Sequence, residues 1–488
     1  MRYIHEKYPK RFLNLPEKVL QFGEGNFLRA FVDWMVELSN RQGAFNGSVV
    51  ICQPIENGMC EQLNAQDCQY TVVMRGIENG VPVQRADRVS SVSRCIDPYK
   101  NYQELLDVAG NKDLRVVVSN TTEAGIAYRQ GDRLDDKPPR SYPAKLCAFL
   151  YERFKRFSGA SDKGLLILPV ELIDDNGPQL KRIVHRYAKE WGLARAFTEW
   201  LDTSCEFAST LVDRIVTGYP RNQIEELQAE LGYTDDLLDT CELFNLWVIE
   251  ADRKWMKEFP VGSPQANVIW TDDVTPYKKR KVRILNGAHT ATVLAAYLAG
   301  HNIVSDFMND SVFKDYLNAF LLNEAVPTID LPRGDLLAFA SAVSERFENP
   351  YIAHRLLDIA LNSCSKYNAR CVPTLIDFLA RFGRIPQNLA FSMAAFIRFY
   401  RGGRVNGGYI GKREDGAEYE VRDNPSVLDF FESAWQTNDA FKVASGVLSN
   451  REFWSGRDLT ELDGFLDAVA LNLSSIMENG IRSTMGKL

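Results

Sequence analysis

A lysine, an amide and an imidazole stand at i, i+5 and i+8 in the stretch Lys281-Val-Arg-Ile-Leu-Asn286-Gly-Ala-His289. The apolar, alanine-rich residues around them predict a helix running to about Leu298. At about 100° per residue the three side chains spread over an arc of roughly 140°, so one face can aim them at a common point. An ammonium that can give up a proton, an amide donor and a ring donor are what a carbonyl oxygen requires while it becomes an alkoxide. A buried helix with a satisfied asparagine and histidine has the same spacing. The rest of the chain has to decide between them.

The chain has 488 residues, 45% apolar and 25% charged, which predicts a soluble globular protein of two or three domains. A net charge of −7 argues against wholesale binding to nucleic acid or an acidic membrane. Nine scattered cysteines form no Cys-x-x-Cys pair, as expected of reduced thiols. Five histidines offer no ligand spacing such as His-Glu-x-x-His, so no metal is expected. The first residues lack the apolar core of a signal peptide, and no run approaches about 18 uncharged apolar residues. The expectation is a cytoplasmic protein with no membrane or nucleic-acid partner.

Val19-Leu-Gln-Phe22 reads as a strand, Gly23-Glu24-Gly25-Asn26 as a turn, and Phe27-Leu28-Arg29 opens a helical pattern through Phe31, Trp34, Met35 and Leu38. Strand, glycine turn and helix in that order can bring backbone N–H groups and a helix N-terminus to a pyrophosphate. The third glycine of the dinucleotide fingerprint is replaced by Leu28, and a plain tight turn is the competing reading. The next strand, Ser48–Cys52, ends at Gln53 where a NAD site usually carries an acid, with Glu56 three residues on. Tyr70–Val92 reads as a sheet excursion. Leu114–Ser119 is a β-branched strand that ends in the polar elbow Asn120-Thr121-Thr-Glu-Ala-Gly125, where open α/β sheets hold ligands. A helix from Tyr142 to Phe157, a strand over 164–170 and an exit loop from Glu171 complete an alternation that predicts a doubly wound, mostly parallel sheet.

Ser209–Ile215, carrying Asp213 beside Arg214, and the stretches 243–249 and 266–270 read as further strands. A boundary near Pro276 divides domains 1–276 and 277–488, and the second reads as helical almost throughout: 284–298, 312–324, 335–345, 351–361, 373–382, 388–400 and 459–479. The basic run Lys278-Lys279-Arg280 leads into the Lys281 segment, and Lys366 and Arg370 make a second basic pair whose default is solvated charge.

With those residues assembled, the chain resembles the polyol-specific long-chain dehydrogenases typified by mannitol 2-dehydrogenase. The resemblance covers nearly the whole chain and rests on Lys-x-x-x-x-Asn-Gly-x-His at Lys281, Asn286, Gly287 and His289, preceded by Thr271-Asp-Asp-Val274. The Gln21–Trp34 motif, Ser119–Gly125 and Asp213–Pro220 resemble the members that reduce keto-uronates. The resemblance implies an α/β fold: a Rossmann-type doubly wound N-terminal domain with extra strands, a mostly α-helical C-terminal domain, and a cleft between them. It implies NAD, bound by Phe22 to Arg29 with Gln53, Asn120 and Thr121. It also implies metal-free hydride transfer, with Lys281 as general acid–base and Asn286 and His289 on the substrate oxygen. Two positions depart from the mannitol enzyme. Leu172 stands where a second amide would supplement the alkoxide site, and Lys278 stands where a proton-relaying acid would precede the lysine.

The expected reaction is interconversion of D-tagaturonate and D-altronate, with Asp213, Lys366, Arg370 and the Lys278–Arg280 edge as candidate substrate contacts. Two readings rival it: a fructuronate or neutral-polyol enzyme, and a nicotinamide-binding protein without turnover. The sequence is silent on oligomeric state.

Overall fold

Along the strand Glu17–Phe22 (β1) alternate side chains enter different cores: Val19 joins one apolar cluster and Leu20 and Phe22 another. The same split divides Val49 and Ile51 from Val50 and Cys52 on Ser48–Cys52 (β2), and Val116 and Val118 from Val117 on Val116–Ser119 (β4). A strand whose alternate side chains enter two cores has to be covered on both sides, which is why these runs are mostly apolar and Gln21 of β1 is buried with them. The computed structural model, which describes residues 1–121 and 124–488, lays them in a six-stranded parallel sheet. Val92–Ile96 is β3, Leu166–Pro169 β5 and Glu206–Phe207 β6, and the spatial order is β3-β2-β1-β4-β5-β6. The order reverses direction between β1 and β4, so their carboxyl ends flank the point where doubly wound sheets bind ligands.

The chain divides into two compact units, Met1–Gly76 with Val83–Val274, and Ile77–Pro82 with Thr275–Leu488. The first unit carries two smaller sheets beside the parallel one. In one, Val216–Gly218, Asp239–Glu242, Tyr70–Glu78 and Val81–Val89 lie in that order. In the other, Leu246–Glu250 lies between Val268–Thr271 and Ser209–Asp213. The excursion expected over 70–92 is therefore a hairpin in a separate sheet, and Val92 belongs to β3.

In the second unit the almost wholly buried helix Gly287–Leu298 packs against Gln387–Phe399, which packs against Phe465–Asn479. One expectation fails here. The helix predicted over 351–361 shrinks to Leu356–Ile359, with Arg355 just before it held in a bridge to Ile303. The unit is mostly helical, as expected, with one small sheet added. Gly402–Val405, Gly408–Lys412 and Glu418–Glu420 form an antiparallel sheet turned by Asn406 and Gly407, at φ 49° and 86°. Asn-Gly is the preferred pair for such a hairpin turn, so the signal was present in the sequence.

Candidate active site

The glycine turn begins at Gly23, whose φ of +128° suits glycine; a Cβ there would lie 2.9 Å from the Leu28 side chain and 3.0 Å from the Asn120 carbonyl. Gly25 has nothing within 4 Å of a Cβ position, is exposed, and precedes the helical turn Asn26–Leu28. That open backbone fits a phosphate-sized group. The candidate cofactor residues then divide by what their side chains do. Phe22 packs on Tyr142, Phe27 stacks on Phe31, and Leu28 is buried against Gly23. Arg29 is buried and spent on the turn itself: it donates to the Glu24 carbonyl (3.1 Å), Asn26 Oδ1 (2.6 Å) and the Leu237 carbonyl (2.5 Å). A guanidinium so engaged is a brace, not a phosphate ligand.

Gln53 departs from expectation in the same way. Its amide donates to the carbonyls of Ile55 (2.9 Å) and Glu56 (3.0 Å) and accepts from Cys60 N–H (3.1 Å). It therefore shapes the loop after β2, and its hydrogen-bonding atoms are already used. At the end of β4, Asn120 is half-buried and its amide has no partner among the described residues; Thr122 and Glu123 of that elbow lie outside them. Thr121 donates through its N–H (3.0 Å) and hydroxyl (2.9 Å) to Glu171, which also accepts from the Ser119 hydroxyl (3.1 Å). Burial raises the Glu171 carboxyl above its ordinary range against those donors. An acid at the end of β5 facing the elbow was visible in the sequence only as the start of a loop. Leu172 beside it is exposed, and Asp213 is the buried last residue of its strand.

In the helical unit the predicted continuous α-helix is interrupted. Thr275–Arg280 is α-helical, Lys281–Asn286 is a π-turn in which Gly287 N–H reaches back to the Val282 carbonyl, and the α-helix resumes at Gly287. Hydrogen bonding at i→i+5 widens the turn, so residues five apart lie closer to one face than in a regular α-helix. His289 follows Asn286 at i+3 and shares its face. The wide turn thus narrows the arc that a regular helix would give the three groups. All three side chains are half-buried, and the Asn286 amide has no partner among the described residues.

His289 stacks on Phe347 with ring centres 4.1 Å apart, and its Nδ1 is buried with no hydrogen-bond partner among the described residues. Burial first, then His354, Arg346, Arg370 and Lys366, hold its pKa well below the usual histidine value. A neutral imidazole presents one N–H donor and one acceptor nitrogen. Arg370 donates to Thr290 Oγ1 (3.3 Å), one residue beyond His289, and Lys366 donates to the Ile359 carbonyl (2.8 Å). Both sit on the helix Ser363–Arg370, which packs against Gly287–Leu298. The structure thus draws Lys366 and Arg370 to His289, and adds His354 and Arg346, which the sequence reading missed.

The basic run behaves differently. Lys279 pairs with Asp377 (3.2 Å) and Asp330 (3.9 Å), and Arg280 is buried over Phe339 (4.4 Å). Asp377, raised by burial but lowered more by Arg283 and Lys279, ends below its usual range. Lys279 and Arg280 are therefore committed within the fold rather than forming a free cationic rim.

Comparison with known proteins matches residues 17–260 to the mannitol dehydrogenase Rossmann domain and residues 273–477 to the mannitol dehydrogenase C-terminal domain. The chain belongs to the mannitol dehydrogenase family. Among members of that family it is 46% identical to altronate oxidoreductase of Shigella flexneri and 45% identical to that of Escherichia coli O7:K1, in each case over 97% of both chains. Among solved structures of the fold it resembles a substrate-free D-sorbitol dehydrogenase (TM-score 0.80, 22% identity, 98% of this chain and 96% of that one). It also resembles Pseudomonas fluorescens mannitol 2-dehydrogenase in a ternary complex with NAD and D-mannitol (TM-score 0.68, 22% identity, 100% and 99%). At that identity the two structures speak to the family fold: a Rossmann-type N-terminal unit and a mostly helical C-terminal one.

Proposed function

We propose that the chain interconverts D-tagaturonate and D-altronate with NAD in the cytoplasm, and that Lys281, Asn286 and His289 carry the proton chemistry. The observation that carries this reading is the cationic surround of a neutral imidazole: Lys366 and Arg370 beside His289. A neutral polyol gives two half-buried cations nothing to neutralise, whereas a uronate carboxylate suits a guanidinium and an ammonium. The altronate oxidoreductase relatives, matched over 97% of the chain, supply the sugar acid.

When bound, NAD supplies the hydride acceptor or donor. The open turn at Gly25 and the buried Glu24 Oε2, unpartnered among the described residues, are a fit for its pyrophosphate and a ribose, with the Asn120 backbone against Gly23. Lys281 gives a proton to the ketone oxygen in reduction and takes it from the hydroxyl in oxidation. Asn286 and the ring N–H of His289 donate to that oxygen as its charge grows, an interaction worth most in the transition state. Arg370 and Lys366 fix the carboxylate and thereby the register of the carbon chain over Lys281.

A panel of keto-uronates, fructose and mannitol, followed by NADH absorbance, tests the proposal. Tagaturonate should be reduced most efficiently and fructose at least about tenfold less, the value of one lost charge-assisted contact. Equal efficiency on fructose would favour a neutral-polyol enzyme, and a preference for fructuronate would move the assignment to that acid. NADH binding with no turnover on any member would leave a nicotinamide-binding protein.

A further inference from the structure

The residue expected to read the adenosine ribose is not available for it. Gln53, at the tip of β2, spends its amide on the backbone of its own loop. A carboxylate reaches the same place from another element. Glu24, between the two glycines, is only 6% exposed, and its Oε1 accepts from Met59 N–H (3.3 Å) at the far end of that loop. Gly58 closes over the pair: a Cβ there would lie 2.3 Å from Glu24 Oε1 and 2.4 Å from the Gln53 side chain. The second oxygen, Oε2, is buried with no hydrogen-bond partner among the described residues. Buried carboxylate oxygens without donors are costly and uncommon, so an orphan at the edge of a ligand site points to a donor supplied by the ligand.

The position identifies that donor. In a doubly wound sheet the pyrophosphate lies on the turn after the first strand, and the adenosine ribose lies toward the end of the second. Glu24 spans those two elements. We propose that Glu24 takes the part of the missing strand-tip acid, accepting a hydrogen bond from an adenosine ribose hydroxyl and rejecting a 2′-phosphate by charge. The inference rests on nicotinamide dinucleotide use by this chain. Residues Ile55 to Gly58, which lead from Gln53 to Met59, are all exposed. Burial holds the empty carboxyl above its ordinary range, with Arg29 acting the other way, and a donated hydroxyl would offset that cost. Arg29 offers no counter-charge to a 2′-phosphate, because its guanidinium is tied to Glu24, Asn26 and Leu237.

Dissociation constants for NADH, NADPH and 2′-deoxyadenosine NADH, measured by fluorescence quenching on the parent, Glu24→Gln and Glu56→Gln, test this directly. The parent should bind NADH about tenfold tighter than either other dinucleotide, the difference one charged hydrogen bond makes. Glu24→Gln, which keeps an acceptor for Met59, should lose most of both differences, while Glu56→Gln should keep them. Equal binding of NADH and the 2′-deoxy analogue by the parent overturns the proposal without recourse to any variant. A discrimination lost in Glu56→Gln but retained in Glu24→Gln overturns it in favour of the exposed loop acid. Equal weakening of all three ligands in Glu24→Gln reduces Glu24 to a support of the turn. A parent that binds neither NADH nor NADPH removes the dinucleotide reading itself, and this proposal with it.

Discussion

The imidazole of His354 stands nearly edge-on to that of His289, ring centres 5.4 Å apart and planes at 71°. His354 also has a lowered pKa, from burial first and then Lys366, against Asp358. Two neutral rings therefore lie among Arg346, Lys366 and Arg370, and the protein keeps imidazolium out of a neighbourhood already rich in positive charge.

That arrangement fixes a sign for stability against pH. An unfolded histidine takes up a proton near about 6.5, while the folded His289 resists it. Below that value the unfolded state binds more protons, so stability contributed by the neutral ring is lost as pH falls. Urea unfolding from pH 7.5 to 5 should show falling stability in the parent and a flatter profile in His289→Asn, with His354→Asn intermediate. Parallel profiles would mean that both rings ionise freely in the folded protein.

Arg370 and Lys366 should be told apart from scaffolding by substrate charge. Arg370→Ala should lower kcat/KM on tagaturonate by about 1.5–3 kcal/mol, roughly 10- to 150-fold. Activity on a neutral ketose, where measurable, should change little. Lys366→Met should act in the same direction but less, because its ammonium is already shared with the Ile359 carbonyl. A loss common to charged and neutral substrates would assign these residues to packing against Gly287–Leu298.

The parallel sheet was legible because its strands are buried on both faces, and a run such as Val116-Val-Val-Ser119 has few other destinations. The candidate triplet Lys281, Asn286 and His289 was read from residue type and spacing. Its geometry was not, because a π-turn depends on tertiary packing rather than on a pattern of period 3.6. The strand-tip position of Gln53 is visible in sequence, while the use of its amide by Ile55, Glu56 and Cys60 is not. His354 escaped notice because 351–361 was read as one helix, whereas the helix starts only at Leu356 and His354 lies ahead of it, its ring beside that of His289.

Gly23 is the least replaceable residue of the turn. Gly23→Ala would force a side chain into φ +128° and against both Leu28 and the Asn120 carbonyl. NADH affinity should drop at least tenfold, with a lower thermal midpoint. Gly25→Ala meets no atom within 4 Å, so its effect should fall on cofactor binding with little change in melting. Identical behaviour of the two variants would show that the turn senses bulk rather than conformation.

Asp33, fully buried below the turn, accepts from the Tyr70 hydroxyl (2.7 Å) and the Gln21 amide (3.3 Å), and burial raises its pKa from 3.8 to about 7. The folded state then binds a proton that the unfolded chain has released, so this group costs stability as pH rises toward and through 7. Asp33→Asn keeps an acceptor for Tyr70 and removes the titration. Its midpoint should exceed that of the parent at pH 8.5, and the advantage should shrink toward pH 4. A constant difference across that range would trace it to packing.

Lys281 separates an enzyme from a binding protein. Reduction of the ketone needs its ammonium and oxidation of the alcohol its free amine, so the two directions should respond oppositely to pH through one shared ionisation. Lys281→Ala removes that group while leaving the glycine turn, which belongs to the other unit, chemically unchanged. Turnover should fall roughly 10²–10⁴-fold, the usual contribution of a positioned proton donor, and NADH binding by fluorescence titration should change little. The asymmetry matters more than the size of the loss. Asn286→Ala should also slow turnover, since it removes a donor to the alkoxide, yet it should leave the opposed pH limbs in place. If the limbs survive in Lys281→Ala and disappear in Asn286→Ala, or if Lys281→Ala turns over at the parental rate, the proton is carried by another group.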